Sequence, residues 1–115
     1  MPDEFTLKET LREGNVAALA ATGRLDGAAA GDLRHACTAL RQAGHKHLAL
    51  DLSGVTFVAS SGVGALLALT EEFGAEGGFY LAPASKAVLS VIRLLNLEQF
   101  LAIYESQEAA LSVVK

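Results

Sequence analysis

The period of the apolar positions changes several times along the chain, and each change marks an element. Phe5, Leu7 and, past an interruption at Glu9, Leu11 alternate with polar residues. Glu13-Gly14-Asn15 is a turn signal, and Val16–Thr22 resumes with strand-like spacing, which predicts an N-terminal hairpin. The Thr10…Glu13 pair imitates a helix-capping box, but the Gly14-Asn15 that follows at once argues against a helix. Thr22-Gly23-Arg24-Leu25-Asp26-Gly27 reads as a break. Ala28–Ala43 then reads as a first helix with Ala29, Leu33, Ala36, Cys37 and Leu40 inward, Asp26 capping its start and Gly44 ending it.

His47–Leu52 is an almost continuous apolar run, which suits a central strand covered on both faces. A second short apolar piece, Val55–Val58, carries it onward to Ser60-Ser61-Gly62. Val63, Leu66, Leu67, Thr70 and Phe73 then repeat at helical spacing until Gly74, Gly77 and Gly78. Phe79–Ala82 predicts a short strand, and Pro83-Ala84-Ser85 the start of a third helix with Val88, Leu89, Ile92 and Leu95 on its apolar face. Leu101–Tyr104 reads as a last strand, and Ser106–Val114 as a short helix with Ala110, Leu111 and Val114 inward. The order is β-β-α-β-α-β-α-β-α. It implies a single α/β domain with a mixed, mostly parallel sheet, an N-terminal hairpin and about four helices packed beside it. Leu and Val on the first and third helices could leave an exposed patch that pattern alone does not separate from core.

Composition narrows the classes. A chain of 115 residues is long enough to bury a core without disulfides or metal, as one domain over 1–115 with its core at about 5–114. The hydrophobic fraction is 51% with only 6% aromatic, so aliphatic side chains and alanine must fill the interior. Thirteen acids against nine bases give −4 and no basic stripe, which argues against nucleic acid. Cys37, the lone cysteine, falls in a helical apolar pattern and reads as packing. Met1-Pro2-Asp3-Glu4 lacks the features of a signal peptide, and no apolar run approaches the ~20 residues of a membrane span. The expectation is a cytoplasmic protein without membrane insertion.

Enzymatic motifs are missing where they would be needed. A hydrolase elbow requires glycine two before the serine and a later histidine, but Val58 precedes Ser60 and no histidine follows His47. Gly62-Val63-Gly64 lacks the third glycine of a dinucleotide fingerprint, and there is no Gly-Lys-Ser/Thr phosphate loop. His45 and His47 lack a completing Cys or carboxylate cluster, so they read as a solvated pair at a strand entry rather than a metal site. No enzyme activity, cofactor or metal is expected. Ser60 and Ser61 admit two readings. One is a plain helix N-cap. The other is a phosphorylation site, where phosphate gains from first-turn N–H groups and the helix dipole.

The stretch Asp51-Leu-Ser-Gly-Val-Thr-Phe-Val-Ala-Ser-Ser-Gly-Val-Gly-Ala-Leu-Leu resembles the signature of STAS domains, specifically bacterial anti-sigma factor antagonists. Thr22-Gly23-Arg24-Leu25-Asp26 resembles that family's earlier Gly-x-Leu-Asp segment, and the element order agrees. The resemblance implies a partner switch. Unmodified members bind an anti-sigma factor, often a GHKL-type serine kinase, and so free a sigma factor. Phosphorylation of the helix-start serine ends binding, and a PP2C-type phosphatase restores it. By motif position the acceptor is Ser60, with Asp26, Ser60, Ser61 and Gly62 forming the partner-binding surface. Ala59 stands where the family usually has Asp. The missing carboxylate could have positioned the hydroxyl or met the kinase, and its loss removes a charge that would repel phosphate. Two alternatives stay open: a constitutive STAS adaptor of a sensor or lipid-transport complex, and an α/β domain holding phosphate on the Gly-rich turn.

Overall fold

The computed structural model describes residues 4–114; Met1–Asp3, where the absence of a leader was read, and Lys115 lie outside them. Strands β1 (Thr6–Glu13) and β2 (Val16–Leu25) form the expected antiparallel hairpin. Helix α1 (Gly27–Gln42), strand β3 (His47–Val58), helix α2 (Ser60–Gly74), strand β4 (Gly78–Ala84), helix α3 (Lys86–Leu94), strand β5 (Ala102–Ile103) and helix α4 (Gln107–Leu111) follow. A 3-10 turn, Glu98–Phe100, links α3 to β5.

The sheet runs β1-β2-β3-β4-β5, with every pair after the hairpin parallel. Each crossover therefore steps to the next strand in the same direction, and crossovers of one hand place their helices on one face. Leu33, Cys37, Leu66, Phe73, Val88 and Ile92 of α1, α2 and α3 accordingly share one core with Leu19, Leu48, Leu50 and Leu81. The opposite face carries a smaller cluster of Ala18, Ala49, Tyr80 and Ala82 under Ala110 of α4. Among the described residues no helix is long and apolar enough to cross a membrane.

Several expectations need correction. Thr22–Leu25 is not a break but the last part of β2, and Val55–Val58 is not a separate piece but the end of β3. Relative to β2, β3 carries two extra residues, between the Ala20 and Thr22 partners and between those of Gly23 and Arg24. These bulges bring Leu52, Val55 and Val58 inward at a spacing of three, which hides the strand period. The interruption at Glu9 is likewise an extra residue in β1, and it sends Leu7 to the larger core and Leu11 to the smaller one. Pro83 and Ala84 belong to β4, and Ser85 alone caps α3 by accepting from the Val88 N–H at 3.2 Å. Leu95 lies past the end of α3 and is exposed, while Ala36 is only half-buried. Gly44, with φ +107°, follows α1 as expected.

The histidine pair is not freely solvated, His45 being buried and His47 half-buried. His45 is buried with its Nδ1 2.8 Å from the Gly14 carbonyl, and His47 stacks on Tyr80 with its Nδ1 3.0 Å from the phenol oxygen. Among the described residues no group of three or more His, Cys, Asp or Glu side chains could hold a metal ion.

Candidate functional site

The candidate site is built where β2 and β3 end together. Leu25 pairs with Val58, both side chains enter the core, and the Ala59 N–H donates to the Leu25 carbonyl at 3.0 Å. The chain leaves each strand directly into a helix, so the starts of α1 and α2 stand side by side at the carboxyl edge of the sheet. A Cβ on Gly27 would sit 3.7 Å from the Ser61 Oγ, which measures how near these two starts are.

The two helix starts are finished differently. Asp26 is the N-cap of α1, its Oδ1 accepting from the Ala29 N–H at 3.0 Å, as its position predicts. The N-cap of α2 is Ala59, whose carbonyl accepts from the Gly62 and Val63 N–H groups at 2.9 and 3.1 Å. The capping reading of Ser60 is thereby overturned: Ser60 is the first residue inside the helix and Ser61 the second. Both side chains are exposed, and among the described residues neither hydroxyl has a hydrogen-bond partner. Because alanine offers no oxygen, the first-turn N–H groups of α2 are claimed by no side chain. An anion on the Ser60 oxygen would meet those donors and the positive end of the helix dipole.

Gly62 faces the other way. It is buried, and a Cβ there would lie 2.8 Å from both the Leu25 Cγ and the Leu25 carbonyl oxygen and 2.9 Å from Val58 Cγ2. Only glycine lets α2 start this close to the end of β2. The structure thus brings Asp26, Ser60 and Ser61 to one surface and puts Gly62 beneath it.

Two neighbours escape the sequence pattern. Phe57 is 37% exposed, and the Arg24 guanidinium carbon stands 4.0 Å from the centre of its ring. The bulges in β3 turn Phe57 outward where simple alternation gives no signal; the side-by-side placement of Arg24 follows only from the register. A hollow beside Asp26 is lined by Glu4, Arg24 and Asp32, so carboxylates outnumber the one guanidinium there. Cys37 takes no part. Burial, with the nearby Glu72 charge, pushes its thiol up to about 12, which leaves it inert packing.

The family model of the STAS domain matches residues 8–110. The chain belongs to the STAS domain family. Among curated proteins none matches it. Among solved structures, this STAS domain is similar to an anti-sigma factor antagonist from Mycobacterium paratuberculosis, with 30% identity, 99% of this chain and 97% of that chain covered, and a TM-score of 0.85. It is also similar to the anti-sigma factor antagonist SpoIIAA in its unphosphorylated form, with 25% identity, 96% of each chain covered and a TM-score of 0.74. The phosphorylated form of the Bacillus cell fate determinant SpoIIAA shares the fold, at 22% identity, a TM-score of 0.72 and coverage of 96% of this chain and 100% of that one.

Proposed function

We propose that this STAS domain is an anti-sigma factor antagonist that works by partner switching. Unphosphorylated, it docks an anti-sigma factor of the GHKL serine kinase type and so frees a sigma factor. Transfer of the ATP γ-phosphoryl group to the Ser60 Oγ, with the hydroxyl proton leaving, ends the docking, and a PP2C-type phosphatase hydrolyses the ester to restore it. The observation that carries the reading is the Ser60 hydroxyl itself, exposed and unpartnered in the first turn of α2.

The physics favours a switch by charge. Phosphate adds about −1.5 to −2 charge, and the positive end of the α2 dipole, with the first-turn N–H groups that the Ala59 carbonyl does not hold, stabilises it where it stands. The domain therefore keeps its fold while the surface that meets the partner gains negative charge where it had a neutral hydroxyl. Asp26 and Ser61 flank the acceptor, and Gly62 sets the height of the turn against Leu25. Ala59 removes a carboxylate that would repel the phosphate and would compete for the same N–H groups.

Incubation with the GHKL-type kinase of the same genome and ATP, followed by mapping of phosphate by mass spectrometry, tests the reading. Phosphate is expected on Ser60 and none on Ser60→Ala. Ser60→Asp is expected to weaken kinase binding at least about tenfold while its unfolding free energy stays equal or rises by about 0.3–1 kcal/mol from the dipole. Equal phosphate on Ser60→Ala refutes Ser60 as the acceptor. Tight binding to a membrane transport component with no phosphate on the wild type would favour the constitutive adaptor instead.

A further inference from the structure

Three of the five large exposed apolar side chains among the described residues stand close together in the chain. Leu94 (80% exposed), Leu95 (49%) and Phe100 (56%) fall within seven residues at the end of α3 and the 3-10 turn. The core does not need them, because Val88 and Ile92 already fill the inward face of α3. Asn96, at φ +56°, reverses the chain after Leu95, so Leu97 packs back half-buried while Phe100 stays outside. Leu97 and Phe100 face Leu67, Thr70 and Glu71 of α2 across an apolar groove of about 390 Å³. Of these three exposed side chains Phe100 lines the groove, with the half-buried Leu67 and Leu97 beside it.

Two observations say what fits the groove. The first is its continuity with the Ser60 turn. Ser60, Gly64, Leu67 and Glu71 follow at spacings of four, three and four, so they lie on one face of α2, with Leu67 about 10 Å along the axis from Ser60. The second is charge. Glu72 pairs with Arg41, Glu76 with Lys46 and Glu98 with Arg93, whereas among the described residues Glu71 has no ion pair. A second copy of this chain would bring its own Glu71 and a net charge of −4 to the same place, so an occupant with cations is favoured.

We infer that the groove between α2 and the 3-10 turn seats an amphipathic helix of the kinase partner, with apolar residues on Leu67, Leu97 and Phe100 and a lysine or arginine against Glu71. The inference rests on the antagonist reading and adds a division of labour to it. The groove supplies affinity that phosphate does not touch, and the Ser60 turn, two helical turns away, supplies control.

The test measures binding of the purified GHKL-type kinase of the same genome by calorimetry. Phe100→Ser is expected to weaken binding about tenfold or more. Because Phe100 is more than half exposed, the circular dichroism and melting midpoint should be unchanged. Glu71→Lys should weaken binding and lower its sensitivity to salt, and the kinase should still phosphorylate Ser60 slowly in both variants. Wild-type affinity in Phe100→Ser and in Glu71→Lys would overturn the groove and leave the antagonist reading standing. No kinase binding by the wild type would overturn both. A wild-type dimer that the serine variant breaks would assign the patch to a second copy and overturn the inference.

Discussion

At the scale of single residues, Gly62 and Gly64 separate two uses of glycine in one helix. Gly62 is held against the Leu25 carbonyl, a backbone atom that cannot yield, so a methyl group there must push α2 away from β2. Gly62→Ala is expected to destabilise the domain by about 1–3 kcal/mol, read as a fall in the urea midpoint. Gly64 has nothing within 4 Å of its Cβ position and lies inside the helix. Gly64→Ala is therefore expected to stabilise it by up to about 1 kcal/mol. Equal costs at the two positions would mean that the close approach of the strand end does not set the turn. The sequence made Asp26 legible as a cap, because a carboxylate before a helical stripe has one obvious use. It put the α2 cap one residue late, since serine is the favoured cap and nothing local announces that Ala59 holds the position.

At the scale of elements, the helices were easier to read than the strands for a physical reason. A helix stripe depends only on its own residues, whereas β2 and β3 are held in register by each other through bulges that break the alternation of both. Gly23 read as part of a break and instead lies inside a paired strand, as does Gly54, where a Cβ would fall 2.7 Å from Thr22 Cγ2. The clamp between α1 and α2 was invisible in sequence because its members are far apart in the chain. Thr38 and Arg41 of α1 each donate to the Glu72 carboxylate of α2, at 2.9 Å to the same oxygen. Burial alone would raise the pKa of Glu72, but the hydrogen bonds from Arg41 and Thr38 and the Arg41 charge outweigh it and hold the group below its ordinary carboxylate value. A depressed folded-state pKa gives stability that is complete above the ordinary value and is lost as pH falls through the lower one. Glu72→Gln should therefore be less stable than the wild type at pH 7, and the gap should close between about pH 5 and 3 in melting curves. A gap that stays constant over that range would show that the charge on Glu72 is not what ties the helices together.

At the scale of the whole molecule, the sheet is covered unequally, and the inequality sets where the domain opens. Three helices and most of the leucines pack on one face, with β3 between β2 and β4 and Leu48, Ala49 and Leu50 wholly buried. The other face has α4, five residues long, seated mainly on alanines and Tyr80. A helix of that length has no stability of its own, and alanine contacts bury little apolar area, so docking is what keeps it folded. Part of the docking is polar: the Gln107 side-chain amide donates to the carbonyls of Leu19 at 3.0 Å and Ala49 at 3.2 Å, across β2 and β3. Native-state hydrogen exchange should then find the Ala110 amide, bonded to the Ser106 carbonyl at 3.0 Å, opening at a free energy about 2 kcal/mol or more below the Leu48–Leu50 amides. Gln107→Ala should lower the opening energy of Ala110 by about a further 1 kcal/mol. The β3 amides and the Ser60 turn lie outside that opening, so their exchange should not respond. One common free energy for Ala110 and β3 would mean that α4 unfolds only with the whole domain and that the thin face is not a separate unit.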